Sequence, residues 1–575
     1  MSLAKALEKL NPSQREVVEC RNHCVAVAVP GAGKTATIAA KAAVLLSDPS
    51  MTVGAVTFSK DAAIELRDRI LALAGPSAKK RLIAGTFHSL AYKQLSVTAG
   101  KRPDIATDGE RIAILTQVIQ ELSAEWKLED AIAAIERLKT AFGIPSPEST
   151  DGQLFAAYQE ALDRNGRLDF QDLMRYAVQG MQQGIIQPYK VQVLLVDEYQ
   201  DVDSHQAAWT ALHARAGAAT CLVCDDDQSV YGFRSAMGLR GIEGFTNEFN
   251  ARQIVLGVNY RSHSEILAVA DKVIRNNTER VVKELISDRG PGGTVSFDRH
   301  DDEYEEAISA MEAMLAAVRK GKTAAILART NRILDPVEAV CRSHGVKYHR
   351  AAGRSILDRP ESALTGNLLE LIEQSRTSGL DAILGFSGIG AADLQTLHTK
   401  FTATKDALRL KRKDLREAGL AEEVADKYLD LTKRLAEWRS LCERHFHALI
   451  LDGVFEWMMK WASTDQGRRA ITTTYDVLSR LNGPFSDRLE FLRRKNNEAV
   501  ADAIVLTTFH SSKGLEWDHT ALIRLEEAVI PDESSPEAEE RRLFYVGLTR
   551  ARHTMMLSTA RKNPTSRFVV EAGLA

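Results

Sequence analysis

Short apolar runs rich in β-branched residues alternate with amphipathic stretches through the early part of the chain. Cys24 to Val29, Val53 to Phe58, Val193 to Val196 and Cys221 to Val223 each end in a polar, turn-like segment. Between many of them the apolar spacing becomes helical, as in Ala36 to Leu46 and Asp61 to Leu73. Strands separated by amphipathic helices predict an α/β fold with parallel sheets, because parallel neighbours need a crossover and a helix supplies it. A later set repeats the texture: Gln253 to Leu256, Thr323 to Ala328, Ile504 to Thr507, Thr520 to Ile523 and Thr554 to Leu557. Two α/β units are therefore expected. Two long intervals, from about 96 to 189 and from about 356 to 495, are instead helical in period, for example Arg111 to Leu122 and Lys405 to His445, and read as helical insertions. The Glu-rich and Lys-rich faces of the second fit a solvated helix. No internal repeat or low-complexity tract occurs, and the acidic loop Glu533 to Glu540 is too short to be a tail.

Composition narrows the class without naming a function. A chain of 575 residues exceeds the usual size of one hydrophobic core, and 45% apolar with 26% charged residues is ordinary globular usage. No run of about 18 apolar residues is present, and Met1 to Leu10 carries Lys5, Glu8 and Lys9 where a secretory segment would be apolar. A cytoplasmic protein without a membrane partner is expected. The formal charge of −3 means that any track for a polyanion must be local. Among six cysteines, Cys20 with Cys24 and Cys221 with Cys224 form close pairs, but zinc sites usually need four ligands and no second pair lies at a suitable distance. Cys221 and Cys224, three apart in an apolar strand, should face opposite ways, so buried reduced thiols are the expectation.

Two stretches carry chemistry. Pro30-Gly31-Ala32-Gly33-Lys34-Thr35 follows an apolar strand and opens a helical pattern, the context of a phosphate-binding loop, although the strict pattern has Gly where Ala28 stands. Small residues let backbone N–H groups reach phosphates at a helix N-terminus, and Ala36 continues that first turn. Lys34 would hold the β- and γ-phosphates and Thr35 would ligate Mg²⁺. Leu194-Leu195-Val196-Asp197-Glu198 is an apolar strand ending in two acids, with Asp197 suited to Mg²⁺ and Glu198 to polarising water.

The run Asp197-Glu198-Tyr199-Gln200-Asp201, followed by Asp225-Asp226-Asp227-Gln228-Ser229-Val230-Tyr231-Gly232-Phe233-Arg234, resembles motifs II and III of UvrD/Rep-like superfamily 1A DNA helicases. Other motifs of that family appear in order. Leu10-Asn11-Pro12-Ser13-Gln14 resembles the adenine-reading Q motif, Thr57-Phe58-Ser59-Lys60-Asp61-Ala62-Ala63 motif Ia, and Gly85-Thr86-Phe87-His88-Ser89 motif Ib. Asn259-Tyr260-Arg261-Ser262 resembles motif IV, the run from Thr507 through His510 to Glu516 motif V, and Glu540 to Ala551 motif VI, so the likeness spans residues 10 to 551.

The resemblance implies two RecA-like P-loop domains, parallel sheets flanked by helices, with two helical insertion subdomains. In its terms 1–95 and 190–256 form domain 1A, 96–189 insertion 1B, 257–355 and 496–575 domain 2A, and 356–495 insertion 2B. It implies ATP with Mg²⁺ as cofactors, Gln14 on the adenine with Tyr260 stacked upon it, and Glu516 on the ribose. It also implies Gln228 as γ-phosphate sensor, and Arg261 and Arg550 as arginine fingers from the second α/β domain, each typically worth about 10³ to 10⁵ in rate. Single-stranded DNA, and its junctions with duplex, would meet Phe58, Ser59, Lys60, His88, Ser89, Tyr231, Phe233, Arg234 and His510. The expected activity is ATP-driven translocation with 3′ to 5′ unwinding, in a nucleoid-associated protein encoded by a bacterium or phage. The alternative is a motor or ATP-gated subunit of a repair or phage-defence complex, partnered by a separate nuclease and unwinding little alone.

Two features bear on unwinding. Phe386-Ser387-Gly388-Ile389-Gly390 resembles the Gly-x-Gly turn with which relatives grip duplex phosphates, and a plain helix-capping turn fits it equally. After motif VI, where relatives that unwind duplexes carry a strand-splitting hairpin, Met555 to Ser558 leads through Pro564 almost directly to Phe568. With the sequence ending at Ala575, neither a partner-binding tail nor a fused nuclease is expected.

Overall fold

The computed structural model describes residues 2–122, 126–143, 145–232, 235–351, 355–374, 379–400, 409–493, 502–560 and 563–575. Backbone contacts divide the chain into two compact units, Met1–Gly293 with Pro531–Thr549 and Val570–Gly573, and Thr294–Ile530 with Arg550–Val569 and Leu574–Ala575.

The first unit is built on six parallel strands. They are β1 (Cys24–Ala28), β2 (Val53–Thr57), β3 (Leu82–Thr86), β4 (Val193–Val196), β5 (Ala219–Cys224) and β6 (Arg252–Leu256), in the spatial order β3-β2-β4-β5-β1-β6. Every residue of β1, β2 and β4 is buried, which is why these strands read as unbroken apolar runs. Alternate residues serve opposite faces: Val25, Val27, Leu222 and Cys224 pack with Phe87 and Trp209, while Cys24, Ala26, Cys221 and Val223 pack with Ile38 and Ala39. Cys24 and Cys221 are register partners, Cys224 faces the other way, and all six cysteines are free thiols. β6 closes the edge beside β1.

Between β3 and β4 the chain makes its first insertion. Helices Asp108–Glu121, Leu128–Thr140 and Thr150–Arg164 enclose a separate core around Leu115, Val118, Ile135, Leu154 and Tyr158. Phe170–Gln182 then returns to the sheet, burying Leu173, Met174, Ala177 and Val178.

Residues 257–293 were expected with the second α/β domain but pack within the first unit. Their strands β7 (Val258–Asn259) and β8 (Ile286–Ser287) pair only with each other. The cause is polar: Asn259 donates from Nδ2 to the Pro30 carbonyl at 2.6 Å, and Arg280 and Lys283 sink into the acids that follow β5. Helix Glu537–Leu548 joins the same unit, with Arg541 donating to Asn277 Oδ1 at 2.8 Å.

The second unit has its own six-stranded parallel sheet. Its strands are β9 (Thr294–His300), β10 (Ala324–Ala328), β11 (Tyr348–Arg350), β12 (Ile504–Thr508), β13 (Trp517–Leu522) and β14 (Ala551–Ala560), in the order β11-β12-β10-β13-β14-β9. The insertion between β11 and β12 packs helices Pro360–Glu373, Glu422–Glu443, His447–Trp461 and Asp465–Arg480 around Leu368, Tyr428, Trp438 and Trp457. At Ser387 to Gly390 one helix ends and the next begins: Gly388 adopts φ +84°, and the N–H groups of Gly388 and Ile389 donate to the Gly385 and Leu384 carbonyls. Those two donors are spent on capping. Among the described residues no helix is long and apolar enough to cross a membrane.

Candidate functional site

The loops leaving β1, β4 and β5 emerge from one edge of the first sheet, the end at which parallel α/β sheets hold ligands. After β1 the chain turns through Gly31 (φ +67°) and Gly33 (φ +75°) into the helix Lys34–Leu46. Gly31 is required twice over, by its left-handed backbone and by space, since a Cβ there would lie 2.7 Å from the Arg261 Cβ. Tyr260 N–H donates to the Gly31 carbonyl at 3.0 Å, so the 259–261 segment braces this loop from behind.

Gln14 caps the Pro12–Glu19 helix through a capping box with Asn11, and its Nε2 donates to the Ala32 carbonyl at 2.9 Å. Asn11 Nδ2 donates to the Tyr260 hydroxyl at 2.9 Å. Gln14, Gly33, Ala36 and Tyr260 line a cavity of about 490 Å³, within the roughly 300–1,000 Å³ typical of small-ligand sites. Gln14 and Tyr260, expected on the adenine, thus line one cavity.

A polar run crosses the strand tips. Lys34 Nζ lies 2.9 Å from Glu198 Oε2. Burial opposes its charge, but Glu198, Asp225 and Asp197 outweigh that and raise its pKa above free lysine. Glu198 has φ +52°, a costly conformation for a non-glycine residue, and accepts from Gln200 Nε2 at 2.5 Å. Gln200 Oε1 in turn accepts from the Asp225 N–H at 2.9 Å, and Asp225 Oδ2 accepts from Gln228 Nε2 at 2.6 Å. Burial, and after it the Glu198 charge, pushes the Asp197 carboxyl up to about 7. A buried carboxylate beside Lys34 and Glu198, with Thr35 on the first helical turn, is an oxygen donor set suited to a hard divalent cation.

Asp225, Asp226 and Asp227 form a second acidic group, but a cation already fills it. Lys283 Nζ, fully buried, lies 3.2 Å from Asp225 and 2.9 Å from Asp227 and also bonds Asp226, while Arg280 pairs with Asp227 at 2.5 Å. Neither cation was anticipated. They lie in an aperiodic stretch well beyond Arg261 and acquire meaning only through partners more than fifty residues earlier.

Arg261 belongs to the first unit, where its Nη1 donates to the Thr549 carbonyl at 3.0 Å and its N–H to Asn259 Oδ1 at 2.8 Å. Arg550 and Glu516 belong to the second unit, Arg550 buried and donating to the Leu515 carbonyl at 3.1 Å, and Glu516 paired with Arg552.

The expected strand-facing residues differ in their placement. Phe58 and Tyr231 stack with centroids 6.0 Å apart at 8°, a half-exposed platform three residues past Gln228. Lys60 is exposed, and half-buried His88 lies flat on Phe170 with centroids 4.0 Å apart, its imidazole held neutral by burial. Ser59 and Ser89 do local work, Ser59 Oγ accepting from Ala62 N–H and Ser89 closing a capping box with Thr86. Phe233 and Arg234 lie outside the described residues, and His510 stands in the second unit.

The UvrD/REP helicase N-terminal domain matches residues 10–250, and the UvrD-like helicase C-terminal domain matches 254–437 and 412–562. The chain belongs to the UvrD/Rep helicase family. DNA helicase II of Escherichia coli K12 is 29% identical over 97% of this chain and 85% of its own length. ATP-dependent DNA helicase PcrA of Bacillus subtilis 168 is 27% identical over 98% and 86%, and ATP-dependent DNA helicase Rep of Salmonella typhimurium LT2 is 27% identical over 96% and 91%. The UvrD/Rep models together span both sheets and the loops of the polar run, so the family likeness covers the site as well as the fold.

Proposed function

We propose that this chain is an ATP-driven translocase on single-stranded DNA and a DNA helicase of 3′ to 5′ polarity. The observation that carries the reading is the unbroken polar run from Lys34 through Glu198, Gln200 and Asp225 to Gln228, which ends beside the Phe58–Tyr231 platform. Nucleotide chemistry is thereby carried by hydrogen bonds as far as Gln228, three residues before Tyr231 of the stacking surface.

In this reading the adenine enters the Gln14–Tyr260 cavity, and the phosphates take the loop Pro30-Gly31-Ala32-Gly33-Lys34-Thr35. Lys34 turns from Glu198 to the phosphates. Glu198, released, accepts a proton from the attacking water as the new P–O bond forms and the β–γ bridge breaks. Thr35 and Asp197 would hold Mg²⁺, which when bound would supply Lewis-acid neutralisation of the phosphate oxygens. Arg261 and Arg550 oppose the charge that develops, and Glu516 holds the ribose. Gln228 reads the γ-phosphate and passes its loss to Tyr231. Phe58, Lys60, His88, Phe233, Arg234 and His510 hold the strand, with Ser59 and Ser89 fixing the helix starts from which Lys60 and His88 project. The domain limits given by the resemblance, outside 257–293 and 531–549, belong to the same proposal, as does nucleoid association of a protein encoded by a bacterium or phage.

Unwinding should be the weaker activity without a partner. β14 continues to Ala560 and the helix Arg567–Glu571 follows, so only 561–566 separate them, too short for a strand-splitting hairpin. Glu198→Gln is expected to bind ATP and DNA while turnover falls about 10²- to 10⁴-fold. Retained DNA-stimulated ATP hydrolysis would overturn the assignment of the base. ATP hydrolysis and strand displacement on single strands, 3′-tailed and 5′-tailed duplexes test substrate, polarity and the short link together.

A further inference from the structure

In the helical insertion of the second unit three helix ends meet. Helix Pro360–Glu373 finishes on Glu373, helix Glu422–Glu443 carries Cys442 in its last turn, and helix His447–Trp461 begins at His447. Their ligand atoms, a carboxylate oxygen, Sγ and an imidazole nitrogen, all lie within 4.8 Å of one another. All three residues are half-buried. Both Glu373 oxygens are fixed by backbone, accepting from Phe485 N–H at 2.8 Å and Ser486 N–H at 2.7 Å, which leaves each a lone pair for a further partner. The His447 ring stands nearly perpendicular to buried Phe485, with centroids 5.0 Å apart at 79°. Arg488, whose guanidinium lies 5.6 Å from the Phe485 ring centroid, donates to the Gly483 and Leu478 carbonyls at 2.9 Å each. In the Asp225–Asp227 group, by contrast, Lys283 already supplies the cation.

We propose that this corner is a transition-metal site, taking Zn²⁺ through Glu373, Cys442 and His447 with His445 as fourth donor. A thiolate, an imidazole and a carboxylate are the mixture that Zn²⁺ accepts, whereas Mg²⁺ and Ca²⁺ take oxygen ligands. Zn–ligand bonds of about 2.0–2.3 Å put tetrahedral donors roughly 3.3–3.7 Å apart, so the three draw in by no more than about 1.5 Å. His445, exposed and two residues before His447, has its ring centroid 6.1 Å from that of His447, within range of a side-chain rotation that completes the tetrahedron. On binding, the Cys442 S–H bond breaks, its proton goes to solvent and the sulfur electron pair goes to the metal, with no change of oxidation state. Two of the helices bring their C-termini here, where partial negative charge gathers and a cation is favoured. Packing accounts for Cys442, which borders the insertion core, but not for a carboxylate and an imidazole converging on its sulfur. The ion would clasp segments about seventy residues apart and close the long loop between them. The proposal does not rest on the translocase reading.

The test uses the full chain with its thiols reduced, loaded with Zn²⁺ or Co²⁺ alone. Wild type should hold one ion per chain, show the visible bands of tetrahedral Co²⁺ with a near-ultraviolet thiolate-to-metal band, and melt at a higher temperature with Zn²⁺. Cys442→Ser should abolish the thiolate band. Glu373→Gln and His447→Gln should each weaken Zn²⁺ binding by at least about 10- to 100-fold, the cost of losing even a hydrogen-bond partner of a ligand. His445→Ala should weaken binding and take the visible bands away from the tetrahedral pattern. Where a variant does not fold, alkylation of wild-type Cys442 decides: Zn²⁺ should protect it, and labelling that is equal with and without Zn²⁺ would sink the site. So would a wild type that binds no stoichiometric ion, or a thiolate band that survives Cys442→Ser, which would place the metal on other cysteines. Wild-type affinity in His445→Ala would overturn the four-donor set.

Discussion

Lys139 and Lys283 are both fully buried lysines of the first unit, and each is held by carboxylates. Lys139, in the helical insertion, lies 2.7 Å from Asp169 and 2.9 Å from Asp172, with its ammonium 4.9 Å from the Tyr158 ring centroid. Lys283, at the strand tips, meets Asp225, Asp226 and Asp227. The difference is where the acids spend their remaining lone pairs. Asp169 turns back to cap its own helix, accepting from Asp172 N–H at 3.0 Å, so that cluster closes on itself. Asp225 accepts from Gln228, and its N–H bonds Gln200, which reaches Glu198, so the second cluster opens into the chemistry. A buried ion group is weak evidence of stabilisation in itself, because desolvation offsets much of the attraction. Its connections are what distinguish a strut from a positioning device.

The contrast can be broken by experiment. Lys283→Met should cost about 3–5 kcal/mol of stability by leaving buried Asp225 and Asp226 without their cation, Asp227 keeping Arg280, and should also lower ATP turnover of the folded fraction by allowing Asp225 and Gln228 to shift. Unchanged turnover in folded Lys283→Met protein would reduce this cluster to a second strut. Lys139→Met should lose a similar 3–5 kcal/mol in denaturant unfolding, yet turn over ATP normally at saturating DNA. A fall in its turnover would erase the distinction. The smallest effect concerns a buried acid with only a long ion pair: Glu306, in the second unit, accepts from Ser558 at 2.6 Å and Arg524 N–H at 2.9 Å, while Arg524 Nε is 3.9 Å from its other oxygen. Burial pushes its carboxyl up from the usual 4.5 to about 7. The folded state therefore binds the proton more tightly than the unfolded state does. That stability is fully present below about 4.5 and is lost as pH rises through about 7. Glu306→Gln should flatten the decline of the melting temperature over this window.

Much of this was legible in the residues. Strands buried on both faces announced themselves as apolar runs, and Gln14, Lys34, Asp197, Glu198 and Gln228 stood in motifs whose spacing the fold preserves. Two edge strands did not. β9 and β3 carry half-exposed residues, and neither has an apolar run longer than the three residues Leu82-Ile83-Ala84. Ser59 and Ser89, expected to meet a DNA backbone, also cap helices, a role the sequence did not separate from the first because a cap and a phosphate ligand ask for the same short hydroxyl. Lys139 and Lys283 were invisible for a deeper reason. Local pattern treats a lysine as solvated, and only pairing across distant sequence reveals otherwise. The brace formed by Asn259 and Tyr260 behind the phosphate loop belongs to the same class of long-range fact.

The order of strands in the second sheet sets a timetable for synthesis. β14 lies between β13 and β9, yet β9 leaves the ribosome roughly 250 residues before it. At about 5–20 residues per second, β9 waits on the order of ten seconds to a minute for its only partner strand. During that interval β13 also presents an open edge, the kind of surface on which nascent chains misassemble. A truncation before Ala551 would therefore remove more than one strand: it would strand β9 and leave the sheet permanently open.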